Sequence, residues 1–266
     1  MRAPVRALII SALWISACSS TKPVGVDATT SPTTGVSNGT PLTTAQAVRL
    51  SRAFFNNYDA GGAEVLVVVP FGKAGGVRLE GTVNWKTHSG QGEIVTEASD
   101  GSAPQRQPVW WFSPNDLVNG AIVTTQVGLT QAMAATGRTG VKYLARPIAD
   151  KSALDTTVRF LDKLASDRAE NPVLLRQGDV GFLGAQTIGT MLTDHIRFGS
   201  RSTQYWIGVS DANLKQVSAQ LSGLAKPTVF TIRALGARTI TAPLAAEVVD
   251  ARQIPDIYQR LLQQKQ

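Results

Sequence analysis

The stretch Val77-Arg-Leu-Glu-Gly-Thr-Val-Asn-Trp85 decides the fold. Val77, Leu79, Val83 and Trp85 fall on one side of it and Arg78, Glu80, Thr82 and Asn84 on the other, the period-two signature of a half-buried strand. Ala63–Phe71 just before it (AEVLVVVPF) is a continuous apolar run, and Gly92–Ala98 and Pro108–Phe112 continue the pattern after it. Further strands are predicted at Val173–Leu183, Thr190–Phe198, Gln204–Val209, Leu214–Leu221, Thr228–Leu235 and Ala245–Val249. Short turns between strands in chain order predict an antiparallel meander.

Helices bracket these strands. Thr43 and Gln46 form a capping box ahead of Ala47, Leu50, Phe54 and Tyr58, and Gly61-Gly62 ends that helix. The middle of the chain reads as helical: Ser113-Pro114 opens a short helix through Val118, and Val127–Ala135 forms another. Leu154–Ala169 is the clearest, with Leu154, Val158, Leu161 and Leu164/Ala165 as an apolar stripe. Asp155, Arg159, Asp162 and Arg168 are expected on its solvated side. Pro255–Gln263 closes the chain as a last helix. The expected class is α+β, a curled antiparallel sheet with helices packed on its concave face.

That architecture locates candidate binding residues. Leu79, Val83 and Trp85 should face Leu161 and Leu164 across a partly empty space, with Ile196, Phe198, Phe230 and Ile232 continuing the wall. Trp110 and Phe112 join them as candidates because Val109-Trp110-Trp111-Phe112, like Tyr205-Trp206-Ile207, looks apolar on both faces. A core filled by its own side chains is the alternative.

Composition narrows the chemistry. With one Cys in 266 residues, a disulfide framework and a Cys-based zinc site are excluded, and two His leave little for a metal cluster. No apolar run reaches the roughly 18 residues of a membrane-spanning helix. The net charge is +7, and losing Arg2 and Arg6 with a leader leaves 24 basic against 19 acidic groups. No Lys/Arg cluster accompanies the excess, so it is weak evidence for nucleic acid and suits an ordinary solvated or membrane-facing surface.

The N-terminus reads as an address. Met1–Ala17 (MRAPVRALIISALWISA) has a basic start and a short apolar core, a signal peptide. Ile15-Ser16-Ala17-Cys18 resembles a bacterial lipobox, which implies cleavage after Ala17, a diacylglyceryl thioether on Cys18, and acylation of the new amino terminus. Residues 18–43 are then a lipidated, Thr/Pro/Gly-rich flexible tether, and residues 44–266 the globular domain. The expected location is the extracytoplasmic face of the cell membrane, held by a lipid anchor. Thr/Pro density in the tether suits O-glycosylation as well as a bare linker, and the Asn38-Gly39-Thr40 sequon is discounted for a bacterial lipoprotein.

The lipobox, the alternating strands, the Leu154–Ala169 helix and the run Tyr205-Trp-Ile-Gly-Val-Ser-Asp-Ala-Asn-Leu214 together resemble the LppX/LprG-type lipoproteins of actinobacteria. The resemblance spans about Thr43 to Ala251 and lies more in the order of elements than in identical motifs. It implies a fold similar to that of the lipoprotein carrier LolA, a half-barrel sheet around helices. It also implies binding of lipid, glycolipid or lipoglycan acyl chains for transport or shielding, with no catalysis and no cofactor. A structural role beside another envelope protein is the second reading.

Catalytic motifs are missing from the sequence. Gly178–Gly184 and Phe71–Gly76 are glycine-rich but lack phosphate-loop spacing and read as hairpin turns. Asp194 and His195 are neighbours on a strand and so point to opposite faces, which leaves His195 as a surface residue. His88 reads as a turn residue, and Asp155 and Asp162 as solvated carboxylates.

Overall fold

The computed structural model describes residues 39–71, 75–97, 103–112, 120–149, 152–199 and 202–263. The expected signal peptide, Cys18, the tether as far as Asn38 and the helix after Ser113 lie outside them. The described chain is α+β, with one curled, open sheet of thirteen strands and five α-helices.

Helix α1 (Thr44–Ala60) begins as its sequence dictates. The Thr43 hydroxyl accepts from the Gln46 amide while the Gln46 side chain accepts from the Thr43 amide, and Gly61 ends the helix at φ 82°, where a Cβ would be strained. A two-residue strand β1 (Thr40–Pro41) precedes it. Next come β2 (Gly62–Phe71), β3 (Gly75–Asn84), β4 (Ser89–Thr96), β5 (Gln105–Phe112), β6 (Ala121–Thr125) and β7 (Tyr143–Pro147), paired in chain order. Helix α2 (Leu129–Ala134) lies between β6 and β7, and α3 (Ala153–Asp162) and α4 (Pro172–Gln177) follow them. A second meander is made by β8 (Val180–Ile188), β9 (Met191–Phe198), β10 (Thr203–Gly208), β11 (Leu214–Ala219) and β12 (Thr228–Leu235). β12 pairs with β2 and joins the two meanders into one sheet. The edges are β1, on β8, and the short β13 (Val248–Asp250), whose pairing with β7 is the one parallel pairing among the described strands. Helix α5 (Pro255–Gln263) ends the described chain.

Facing residues show how the sheet bends. Gly81 pairs with Gly92 across β3 and β4. A Cβ on Gly81 would lie 2.2 Å from the Gln91 carbonyl oxygen, and one on Gly92 2.3 Å from that of Glu80. Only paired glycines permit this close approach of backbones.

The main core lies between the inner sheet face and helices α1 and α3. It takes Val65, Val67, Leu79, Val83 and Phe230 from strands, Trp85 from the turn after β3, and Leu50, Leu154, Val158 and Leu161 from helices. A smaller cluster gathers α2, α5 and β13 around Leu129, Met133, Leu144, Val249 and Leu261. Two helices therefore pack at the β7 end and not on the inner face of the long sheet.

Several expectations are corrected. The middle of the chain holds β6 and β7 besides helix; each is only five residues long, too short to show a period. Val173–Leu183 is not one strand, because Asn171 caps α4 through the Val173 amide and Pro172 starts it, so β8 begins only at Val180. Gly178–Gly184 is thus largely strand, with a bulge between Phe182 and Gly184. Helix α3 stops at Asp162 rather than Ala169. Asp155 is not solvated: its side chain is 1% exposed, and it accepts two bonds from Arg146, at 2.7 and 3.1 Å, plus the Ala149 amide.

Candidate functional site

The site is built from α1 outward. Leu50 and Phe54, one helical turn apart, point from α1 toward the β9–β10 end of the sheet. There Phe54 meets Tyr205 edge-on at 5.6 Å and 70°, and Tyr205 meets Phe198 edge-on at 5.1 Å. Such T-shaped contacts set ring against ring without filling the volume beside them. The segment after α3 runs along α1, with the Ser166 amide donating to the Phe54 carbonyl and the Glu170 amide to that of Ser51. Leu175 of α4 completes the enclosure. Between these elements lies a cleft of about 350 Å³, with exposed Lys163 and Glu170 on its lining.

Charged pairs fix the cleft's frame. Arg49 of α1 reaches Asp194 of β9 through Nε at 2.7 Å and a second nitrogen at 2.6 Å, with the Asp194 side chain 5% exposed. A charge buried this deeply requires its partner, so α1 is held to β9 in one register. At the other end of the helical layer, Asp162 Oδ1 faces His88 Nδ1 at 3.0 Å. Burial pushes the Asp162 carboxyl above the ordinary carboxylate range, against the opposing hydrogen bond and charge of His88. His88 is a turn residue at φ 49°, but it also ties the β3–β4 turn to α3.

His195 is on the face opposite Asp194, as alternation requires, yet it is buried and not a surface residue. Its ring stacks on Trp206 at 4.3 Å and 10°, and its Nε2 lies 2.7 Å from Gln204 Oε1. Trp206 covers it and donates to Gln186. Single-strand alternation assigns a face and cannot reveal a cross-strand neighbour that shields it.

The sequence-derived candidates separate into three groups. Leu79, Val83, Trp85, Leu161, Leu164, Ile196, Phe230 and Ile232 share one continuous core cluster and are each at most 5% exposed. They are buried together in that cluster, and the Trp85 indole donates to the Leu161 carbonyl. Phe198 alone of the candidates lines the cleft. Trp110 and Phe112 lie on the outer face, because Trp111 between them points inward at 1% exposure; Trp110 instead donates to the Thr241 carbonyl and meets Tyr143 edge-on. Leu175 was hidden by the reading of α4 as strand. Phe54 and Tyr205 were visible as helix-periodic and strand aromatics, but nothing local places them together.

Among the described residues, no group of three His, Cys, Asp or Glu could hold a metal ion, and no helix is long and apolar enough to cross a membrane. No protein-family model matches the chain, and no curated protein matches it.

Proposed function

We propose that this chain is a lipid-anchored lipoprotein of the cell envelope that holds the hydrophobic part of a lipid or glycolipid for transport or shielding, without catalysis. In this reading the curled sheet is a LolA-like half-barrel of the kind found in the LppX/LprG-type lipoproteins it resembles. The observation that carries the proposal is the cleft bounded by Leu50, Phe54, Leu175, Phe198 and Tyr205. Its volume of about 350 Å³ falls within the ~300–1,000 Å³ of small-molecule sites. Its walls offer an acyl chain five apolar or aromatic side chains, with Lys163, Ser166 and Glu170 beside them. Each methylene taken from water there gains roughly 0.8 kcal/mol, against the cost of association.

Titration with a fluorescent fatty-acyl probe tests it. Wild type should take up the probe, and Leu175→Trp, which places an indole in the cleft, should weaken uptake at least tenfold with an unchanged melting temperature. A wild-type chain that takes up no probe overturns the ligand assignment. The tightly packed inner core then favours the second reading, an assembly partner of an envelope protein. The anchor is tested separately: metabolic labelling with an alkyne fatty acid should tag wild type and leave Cys18→Ala untagged.

A further inference from the structure

Resting on the ligand-binding reading above, we infer that the cleft selects lipids with a single acyl chain and leaves two-chain membrane lipids in the bilayer.

Space sets the limit. A methylene takes up about as much room as a water molecule in the liquid, about 30 Å³, so the cleft's volume of about 350 Å³ holds roughly a dozen. That is one acyl chain of medium length. Among the described residues, Leu50 is the one member of the buried core on the lining, so the cleft stops at the edge of the core and does not run into it.

Its width is fixed as well. On one side Phe54, Tyr205 and Phe198 stand in a row, each ring edge-on to the next, and form a wall along which one extended chain can lie. Facing it is the segment that carries Lys163, Ser166 and Glu170. The Ser166 amide donates to the Phe54 carbonyl at 3.1 Å and the Glu170 amide to that of Ser51 at 3.0 Å. Room for a second chain would require breaking both main-chain bonds, each costly to leave unmade.

The mouth is defined by charge. Lys163 and Glu170 are the exposed members of the lining, so they mark the open side, where a head group stays in water. Their charges are opposite, so the mouth favours neither sign of head group and the chain decides.

A two-chain lipid meets a penalty that a one-chain lipid escapes. Drawing it from a bilayer puts one chain in the cleft and the other in water, and each methylene left in water costs about fourfold in the equilibrium. Over a chain of membrane length that forbids extraction.

The experiment is displacement of the fluorescent fatty-acyl probe by phosphocholine lipids below their micelle-forming concentrations. The full chain carries Cys18→Ala, so that no anchor acyl group competes. Lysophosphatidylcholine with one chain of twelve carbons and phosphatidylcholine with two chains of six have the same head group and the same acyl carbon count. The one-chain lipid should bind at least tenfold tighter. Across lysolipids of eight to sixteen carbons, affinity should climb to about twelve and then level off. Dodecanoate distinguishes the sources: displacement by it and the lysolipid alike assigns the site to the chain alone, and displacement by the lysolipid only assigns it to a monoacyl lipid read with its head group. A two-chain lipid that displaces the probe as well as its one-chain counterpart, or affinity still climbing at sixteen carbons, overturns the single-chain limit and leaves the ligand reading standing. A chain that takes up no probe at all overturns that reading, and the limit with it.

Discussion

The Trp85 indole Nε1–H donates to the main-chain carbonyl of Leu161 at 3.0 Å, and so joins the end of β3 to the last turn of α3. Both residues are fully buried. The bond orients the largest side chain of the core at the seam between sheet and helix. Trp85→Phe removes the donor and part of the ring while Leu161 keeps its contact with the Leu164 amide. The expected cost is about 1–3 kcal/mol, read from urea denaturation with an unchanged slope. A loss below about 0.5 kcal/mol, the level of a neutral surface change, would show that the seam is held by other contacts.

Leu164 sits one turn further along the same seam at 1% exposure. Leu164→Trp adds an indole to a site with no room for it, and overpacking of this kind costs about 1–3 kcal/mol. The melting temperature should fall. Uptake of an acyl probe should survive in the folded fraction, because the cleft is bounded by other residues. A stable Leu164→Trp chain that no longer takes up probe would place the ligand in the inner core instead.

How much of this was legible in the sequence depended on whether the signal was local. The capping box at Thr43, the alternation in β3 and the ends of β12 and α5 are written in adjacent residues, and all appear where expected. β6 and α4 were missed because five or six residues carry little period. In α4 the decisive signal was instead the Asn171-Pro172 cap. The inward turn of Asp155 was illegible for a different reason. A carboxylate on a helix reads as solvated until its partner is known, and Arg146 approaches from β7, a strand that was itself missed. The cleft shares this limit. Phe54, Leu175, Phe198 and Tyr205 are brought together only by the closure of the second meander over α1, a long-range event no single window contains.

Gly90 lies directly beneath Trp111. A Cβ there would fall 2.0 Å from the indole ring, so the glycine is what lets Trp111 lie flat on β4. Gly90→Ala is expected to cost about 3 kcal/mol by overpacking. The cause is one ring, so the double change Gly90→Ala/Trp111→Leu should cost at least about 1 kcal/mol less than the sum of the single changes. Additive losses in a double-mutant cycle would mean that Gly90 is needed for its backbone and not for the space above it.

The His88–Asp162 contact makes stability depend on pH in a direction opposite to that of an ordinary salt-bridged carboxylate. Burial raises the Asp162 carboxyl above its usual range, and the hydrogen bond and charge of His88 only partly counter this. A carboxyl whose folded pKa exceeds its unfolded value of about 3.9 favours the fold while protonated. That contribution is complete below the unfolded value and is lost as pH rises through the folded one. Asp162→Asn keeps an oxygen facing His88 but cannot ionise, so it escapes the loss. The variant should therefore melt at or above the wild-type temperature at pH 7, and its advantage over wild type should vanish below about pH 3.9. Thermal denaturation of both chains across pH 3 to 8 reads this directly. An Asp162→Asn chain clearly less stable than wild type at pH 7 and matching it in acid would show that the ionised pair with His88 outweighs the cost of burying its charge.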